Sequence, residues 1–253
     1  PNGAMPAKNM MVFKLAGMEP TAKVVYAASV GNWIMRHEPE IWARTAKYVM
    51  LPTYLNYKLT GNLIDSASNQ IGHIPFDYKN RRWMKPGSLT RCFCDVPNEK
   101  LCDLVPSGTV IGTITDEVCA LTGIPAGLPL ISTGSDKGCE TLGLAVVDSD
   151  KASISLGTTA TIQFSTTEYV EPQQFLPAYP GVLNDHYNPE IEIYRGLWLL
   201  SWFVKEFGTA DAIDAKEMGM APEALLDQRI RDLPAGSDGL LLQPYWTAGI
   251  LHP

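Results

Sequence analysis

The sequence predicts an α/β protein whose sheets mix parallel and antiparallel strands. Beyond about residue 110, short strand-like runs alternate with helical segments, a pattern typical of α/β folds. Residues 152–156 and 160–165 alternate apolar and polar side chains with a period of two, and only Gly157-Thr158-Thr159 separates the two runs. This spacing predicts a β-hairpin. A hairpin joins antiparallel strands, so a purely parallel sheet is not expected.

The composition allows a sizeable core and argues against two classes of partner. The chain has 253 residues, 45% of them hydrophobic, which is enough for one large core or two modest ones. The formal net charge is -7 and the Lys and Arg residues are scattered, so no nucleic-acid partner is expected. The longest apolar runs, such as 197–204, have about eight residues, whereas a membrane helix needs about 20. No membrane span is expected either.

Five cysteines occur at irregular spacings, and they are Cys92, Cys94, Cys102, Cys119 and Cys139. Cys92 and Cys94 are the one close pair, and no neighbouring His or Cys completes a zinc-binding pattern. Ordinary reduced thiols are therefore predicted, and reduced thiols suit a cytoplasmic protein.

Two helices are predicted near the N-terminus. Residues 27–38 read as a helix, and the residues placed together on one face are Val30, Trp33, Ile34 and His37. Pro39 interrupts this pattern and can serve as the first residue of the next helix. That helix is expected to contain Ile41, Trp42 and Ala46.

A third helix and a long irregular stretch follow. Residues 51–59 predict a short helix that stops near Gly61. Residues 65–71 are rich in small side chains and predict a capped turn or helix. Clusters of Pro, Gly, Asn and Asp make residues 72–100 a set of loops.

The pattern changes after residue 110. Val110, Ile111 and Ile114 indicate a strand, and Thr115 can cap a helix that begins with acidic residues and ends at Gly123. Residues 129–133 predict a short buried strand, and residues 137–146 predict a helix.

The segment Thr133-Gly134-Ser135-Asp136-Lys137-Gly138 combines the end of an apolar strand with the start of a helix. In open α/β sheets, ligands bind outside the carboxyl ends of strands, so Asp136 is placed where a base could meet a substrate. A carboxylate there could accept a hydroxyl proton or hold Mg²⁺, and Gly138 would leave room for close approach. Alternatively, Asp136 is simply the N-cap of the helix.

Two glycine-containing segments could contact a nucleotide. In the predicted turn Gly157-Thr158-Thr159, the glycine would let the backbone approach a phosphate, and the threonines would add hydroxyl donors. An ordinary hairpin turn is the alternative. Gly196 precedes an apolar stretch, 196–207, that predicts a buried helix closed by Gly208. Gly196 could let a nucleotide lie against the helix N-terminus, or it could be a packing glycine.

Taken in order, six segments resemble the FGGY family of carbohydrate kinases over most of residues 27–250. The segments are 47–61 with its final Leu-Thr-Gly, Asp65-Ser66-Ala67-Ser68 followed by 76–83, 108–136, Leu156-Gly157-Thr158-Thr159, Gly196 with Trp202, and 239–244. Each motif is modest, and the identification depends on their shared order and spacing.

The resemblance implies a ribonuclease H-like fold of the actin, hexokinase and Hsp70 type. It implies a sugar-binding domain over residues 1–145 and the start of an ATP-binding domain over residues 146–253. Asp136 would be the catalytic base and would also meet Mg²⁺. Asp136 and Lys137 would contact the sugar, and the residues that contact ATP would be Gly157, Thr158, Thr159 and Gly196.

The resemblance also implies a small-molecule sugar, such as the pentulose xylulose, as the acceptor of a phosphoryl group from ATP, and it admits a homodimer. Several departures from the family stand out. The first phosphate loop, Asp-x-Gly-Thr, has no counterpart here. Lys137 stands where many members have Gln or Asn, and residues 249–253 replace the usual Gly-Glu-Arg-x-Pro.

These departures favour an internal fragment that has little kinase activity alone. A non-catalytic relative that binds a sugar or nucleotide on the same scaffold is the alternative. An Hsp70-like ATPase fits the Leu-Thr-Gly segment less well.

Overall fold

The computed structural model describes residues 2–173, 176–193 and 195–243. Contacts divide them into two compact units. The first unit contains residues 2–153 and 163–190, and the second contains residues 154–162 and 191–243. The domain boundary between residues 145 and 146 stays a prediction.

The first unit combines helices with short paired strands. Its helices are α1 (Ala7–Leu15), α2 (Glu19–Ala28), α3 (Val30–His37), α4 (Pro39–Arg44), α5 (Leu51–Thr60), α6 (Asp116–Thr122) and α7 (Asp136–Gly143). Short 3₁₀ helices lie at Ala67–Asn69, Leu89–Phe93 and Asn98–Lys100. The helix predicted to include Ala46 ends two residues earlier, because the backbone of Thr45 is already extended.

The strands are β1 (Ile64–Ser66), β2 (Phe76–Asp77), β3 (Arg82–Trp83), β4 (Asp103–Val105), β5 (Val110–Thr113), β6 (Pro129–Ile131), β7 (Ser153–Leu156), β8 (Ala160–Gln163), β9 (Tyr179–Pro180), β10 (Tyr187–Asn188) and β11 (Glu190–Ile193). β1 pairs with β4 in parallel. The pairs β2–β3, β5–β6 and β9–β10 are antiparallel. A three-stranded sheet has the order β11-β8-β7. The predicted hairpin and the predicted mixture of strand directions are both confirmed.

Helix ends in the first unit follow the predicted chemistry. The Thr115 side chain accepts a hydrogen bond from the Val118 amide and caps α6. Gly123 and Gly61 both adopt the left-handed conformation, which ends α6 and α5. The loop region 72–100 contains only the β2–β3 pair and two 3₁₀ helices, as its turn-rich composition predicts.

Three clusters of buried apolar side chains make the core of the first unit. α1 and α2 pack around Phe13 and Tyr26, and Phe93 packs against them. Phe76 and Tyr78 form the second cluster, against which Trp83 and Tyr179 pack. The members of the third are Cys94, Val96 and Leu101.

The face of α3 on which Val30 and Trp33 were placed is largely exposed. Val30 is 62% exposed and Trp33 is 41% exposed, whereas Gly31 is buried. A Cβ at position 31 would lie 3.1 Å from Cys94 Sγ and 3.2 Å from Val96 Cγ2. The helix therefore approaches the core through its glycine.

One prediction of burial is wrong here, and the hairpin packs through its polar face. β6 was predicted to be a buried strand, but Pro129 and Ile131 are exposed. The hairpin of β7 and β8 buries its polar side chains: Ile154, Leu156 and Ile162 are 64%, 57% and 44% exposed. Ser153, Thr161 and Gln163 are buried instead. Periodicity identifies two faces of a strand, but it does not say which one packs.

The second unit contains most of the β11-β8-β7 sheet and three helices in its described part: α8 (Leu199–Glu206), α9 (Thr209–Glu217) and α10 (Pro222–Ile230). A 3₁₀ turn follows at Ser237–Gly239. The stretch 196–207 was predicted to be a buried helix, but α8 is shorter and contains no buried residue. Residues 240–243 lie in no strand, and the predicted motif at 249–253 lies outside the described residues.

The cysteines are free thiols, as predicted. Burial raises the pKa of Cys94 and of Cys102 to about 11, so both remain neutral near pH 7. In the described ranges, no group of three or more His, Cys, Asp or Glu residues could hold a metal ion. No helix described for this chain is long and apolar enough to cross a bilayer.

Candidate active site

Asp136 is the first residue of α7, but it does not cap the helix. The Ser135 side chain has that role, because its Oγ accepts a hydrogen bond from the Gly138 amide at 3.1 Å. Asp136 is exposed, and its Oδ1 accepts from the amide of Lys137 at 2.8 Å. The N-cap alternative for Asp136 is therefore wrong. The carboxylate lies at the N-terminus of α7.

Ser68 holds the start of α7 in place. The Ser135 amide donates to the Ser68 carbonyl at 3.1 Å, and Ser68 Oγ donates to the Gly181 carbonyl at 2.6 Å. Ser68 is itself buried. One side chain and one carbonyl of the 3₁₀ helix thus join the cap of α7 to the loop around residue 181.

A chain of serine hydrogen bonds also reaches the segment that precedes Asp136. The Ser68 amide donates to Ser66 Oγ at 3.1 Å, and Ser66 Oγ lies 3.0 Å from Ser107 Oγ. Ser107 Oγ donates to the Thr133 carbonyl at 3.0 Å. Because the Ser107 hydroxyl has only one proton, Ser66 must be the donor in the central bond. This chain ends three residues before Asp136.

Asp65 stabilises this region through hydrogen bonds to its buried carboxylate. It is 3% exposed, and its carboxylate accepts from Thr53 Oγ1 at 2.7 Å, from the Ser66 amide at 2.8 Å and from Gln70 Nε2 at 3.2 Å. The Asn69 side-chain amide donates to both oxygens. The sequence indicated Asp65 only as part of a family motif. Its positioning role depends on Thr53, twelve residues away on α5.

We expect Asp65→Asn to lower the free energy of unfolding by about 1–3 kcal/mol. The new amide would face several donors and could not accept from all of them. Chemical denaturation followed by circular dichroism measures the change. Asp103→Asn, on the exposed face of the neighbouring strand β4, is the matched control and should change stability little. Equal stability of the two variants would contradict the anchoring role.

Gly138 does not keep space open for a ligand. A Cβ there would lie 3.3 Å from Val182 Cγ2 and 3.2 Å from Ser135 Oγ, and a Cβ at Gly134 would lie 2.7 Å from the same Val182 methyl. The two glycines therefore make room for Val182. The expectation that Gly138 admits a substrate is replaced by a packing role.

Lys137 is partly buried and forms an ion pair within its own helix. Its Nζ lies 2.9 Å from Glu140 Oε2. Lys137 directly follows Asp136. Its role in sugar contact stays a prediction.

In the second unit, Gly196 packs directly on the predicted phosphate turn. The Gly196 amide donates to the Thr158 carbonyl at 2.8 Å, and the Leu197 amide donates to the Gly157 carbonyl at 3.1 Å. A Cβ on Gly196 would lie 2.0 Å from the Gly157 oxygen. Gly196 therefore has the packing role that was one of its two predicted alternatives, but its contact with Thr158, 38 positions earlier, was not predicted.

Within the turn itself, the Gly157 amide donates to the Thr159 carbonyl at 3.0 Å. Trp198 Nε1 donates to the Thr158 carbonyl at 2.9 Å. All three carbonyls of the turn are thus engaged, two of them by the segment 196–198.

Solved structures identify the class of this fold. A xylulose kinase from Rhodospirillum rubrum matches with a TM-score of 0.68 at 23% identity, over 88% of this chain and 43% of that one. The ribonuclease H-like fold of the actin and hexokinase type is therefore confirmed, and it is the fold of sugar kinases.

Sequence comparison is more specific. The model of the N-terminal domain of the FGGY family of carbohydrate kinases matches residues 11–143, and this chain belongs to that family. An uncharacterized sugar kinase, YgcE, of Escherichia coli (strain K12) is 31% identical over 79% of this chain and 41% of its own length. An autoinducer-2 kinase of Klebsiella pneumoniae is 28% identical over 83% of this chain and 39% of its own. The chain spans about two fifths of the length of these relatives.

Proposed function

We propose that this chain is part of an ATP-dependent carbohydrate kinase in which Asp136 is the general base. The carboxylate would orient a sugar hydroxyl and accept its proton as the hydroxyl oxygen attacks the γ-phosphorus of ATP. The bond between the γ-phosphorus and its bridging oxygen would break, and ADP would leave.

The observation that carries the proposal is the division of roles between Ser135 and Asp136. Ser135 caps α7, so the Asp136 carboxylate is not needed as a cap. That carboxylate is exposed. Two hydrogen bonds hold the residues that precede it: Ser107 Oγ donates to the Thr133 carbonyl, and the Ser135 amide donates to the Ser68 carbonyl. A base held in one orientation is what positional catalysis requires.

Gly157, Thr158 and Thr159 would receive the ATP phosphates. A phosphate is repelled by carbonyl oxygens and attracted by N–H and O–H donors. The carbonyls of the turn and the Gly157 amide are already engaged, so the donors suited to an anion would be the amides and hydroxyls of Thr158 and Thr159. Gly196 would support this turn through its hydrogen bond to the Thr158 carbonyl, and it would lie near the nucleoside.

Mg²⁺ fits this arrangement only together with ATP. Mg²⁺ is commonly held by one or two carboxylates, with phosphate oxygens and water as its other ligands. Asp136 can supply one carboxylate, and the described residues contain no cluster that would hold the ion alone. Bound Mg²⁺ would neutralise charge on the phosphates.

We propose a pentulose such as xylulose as the acceptor. A xylulose kinase shares the fold, and sugar kinases are among the relatives in sequence. The reduced cysteines suit the cytoplasm, which is where we propose that the enzyme works.

The test is ATP turnover to ADP with a panel of sugars, using this chain and a longer protein that contains it. We expect the longer protein to show turnover that xylulose stimulates and that EDTA abolishes. We expect little turnover from this chain alone. Sugar binding without any stimulated turnover would instead favour a non-catalytic relative on the same scaffold.

A further inference from the structure

We propose that Arg195 is a phosphate-binding residue of the nucleotide site, a role that rests on the proposed kinase function. Its guanidinium lies over the ring of Trp198, with Cζ 4.6 Å from the ring centroid. That indole is itself bonded to the phosphate turn, through Trp198 Nε1 and the Thr158 carbonyl. The cation is therefore held beside the turn by a side chain that contacts the turn.

The backbone reinforces this placement. Arg195 immediately precedes Gly196, whose amide donates to Thr158, and Leu197 donates to Gly157. A Cβ on Gly196 would collide with the Gly157 oxygen, so the two backbones are in close contact. Moving the segment away from the turn would break the two hydrogen bonds. The Cα of Arg195 is thus fixed within two residues of both contacts.

The contact with Trp198 leaves N–H donors of the guanidinium available. Arginine has five N–H donors, and a contact of its Cζ with a ring does not use them as hydrogen-bond donors to oxygen. Those donors match the geometry of phosphate oxygens, which is why arginine is favoured at phosphate sites. Trp198 would serve as a platform that orients the fork before the ligand arrives.

Two other cations of the second unit already have carboxylate partners. Lys205 pairs with Glu206, and Arg229 pairs with Asp211 and Asp214. Among the described residues, no carboxylate forms an ion pair with Arg195. ATP carries several negative charges, so a cation next to the turn would strengthen its binding.

The test uses this chain and two probes, Mg-ATP and inorganic tripolyphosphate, with affinity measured by titration calorimetry. We expect Arg195→Ala to raise the Kd for both probes at least tenfold. The Kd values of Arg195→Lys should lie between those of the wild-type chain and Arg195→Ala, because lysine keeps the charge but loses the planar fork. Arg231→Ala removes the same charge from an exposed position at the end of α10 and should change Kd less than twofold.

The outcomes separate this inference from the function it rests on. Equal Kd values for the wild-type chain and Arg195→Ala would overturn the role of Arg195 and leave the turn and Asp136 untouched. No tripolyphosphate binding by the wild-type chain would overturn both Arg195 and the phosphate turn. Sugar-stimulated turnover in the longer protein, measured separately, tests the kinase assignment without reference to Arg195.

Discussion

Asp136→Asn should lower sugar-stimulated ATP turnover by about 10²–10⁴-fold in a protein that contains this chain and the rest of the family sequence. Asparagine keeps the size and one carbonyl oxygen of aspartate but cannot accept the hydroxyl proton. It also removes the charge proposed to meet Mg²⁺. Steady-state coupled assays of kcat and KM for the sugar measure the effect, which should fall mainly on kcat.

Asp116→Asn is the matched control for this experiment. Asp116 is also the first residue of a helix, also follows a separate hydroxyl cap at Thr115, and is also exposed. Each substitution removes a favourable charge at a helix N-terminus, which contributes about 0.3–1 kcal/mol to stability. Both variants should therefore melt alike while only Asp136→Asn loses activity. Intact turnover in Asp136→Asn would remove the proposed base.

Gly196→Ala should unfold the phosphate turn locally. The new Cβ would lie 2.0 Å from the Gly157 oxygen and 2.7 Å from the Thr159 oxygen, and neither backbone can yield without breaking bonds. Losing two hydrogen bonds and adding steric strain should cost about 3 kcal/mol or more. Amide hydrogen exchange of residues 154–162 and 196–198 should then accelerate by about two orders of magnitude.

Two other glycines calibrate this result. Gly143→Ala meets no atom within 4 Å, so exchange should remain near that of the wild-type chain. Gly157→Ala meets only the Thr159 oxygen at 4.0 Å, so the turn should survive while its Cβ obstructs a phosphate. We therefore expect Gly157→Ala to weaken tripolyphosphate binding without changing exchange. Normal protection in Gly196→Ala would contradict the packing described for this segment.

Local sequence rules were sufficient wherever neighbouring residues decide the structure. Thr115 and Gly123 bound α6 as predicted, because a cap and a left-handed terminus depend on only a few adjacent residues. The hairpin of β7 and β8 followed from its alternation and its turn. The family motifs likewise predicted the fold that the solved structures confirm.

The rest depends on contacts between distant residues. Serine and aspartate are about equally good caps, and Ser135 is positioned by a bond to Ser68, 67 positions earlier. The role of Asp65 depends on Thr53, and that of Gly196 depends on Thr158. Periodicity and composition cannot predict which distant residues pair. A catalytic role was therefore predicted for Asp136, but the hydrogen bonds that support its segment were not.

The apolar side of the β7–β8 hairpin has a consequence for handling the molecule. Ile154, Leu156 and Ile162 form a stripe open to water, and β7 ends the strand order of its sheet. Such a surface favours self-association of identical copies, so solubility should fall steeply as the concentration of the chain rises. Sulfate strengthens apolar attraction and should worsen this precipitation, so low-sulfate buffers suit the isolated chain.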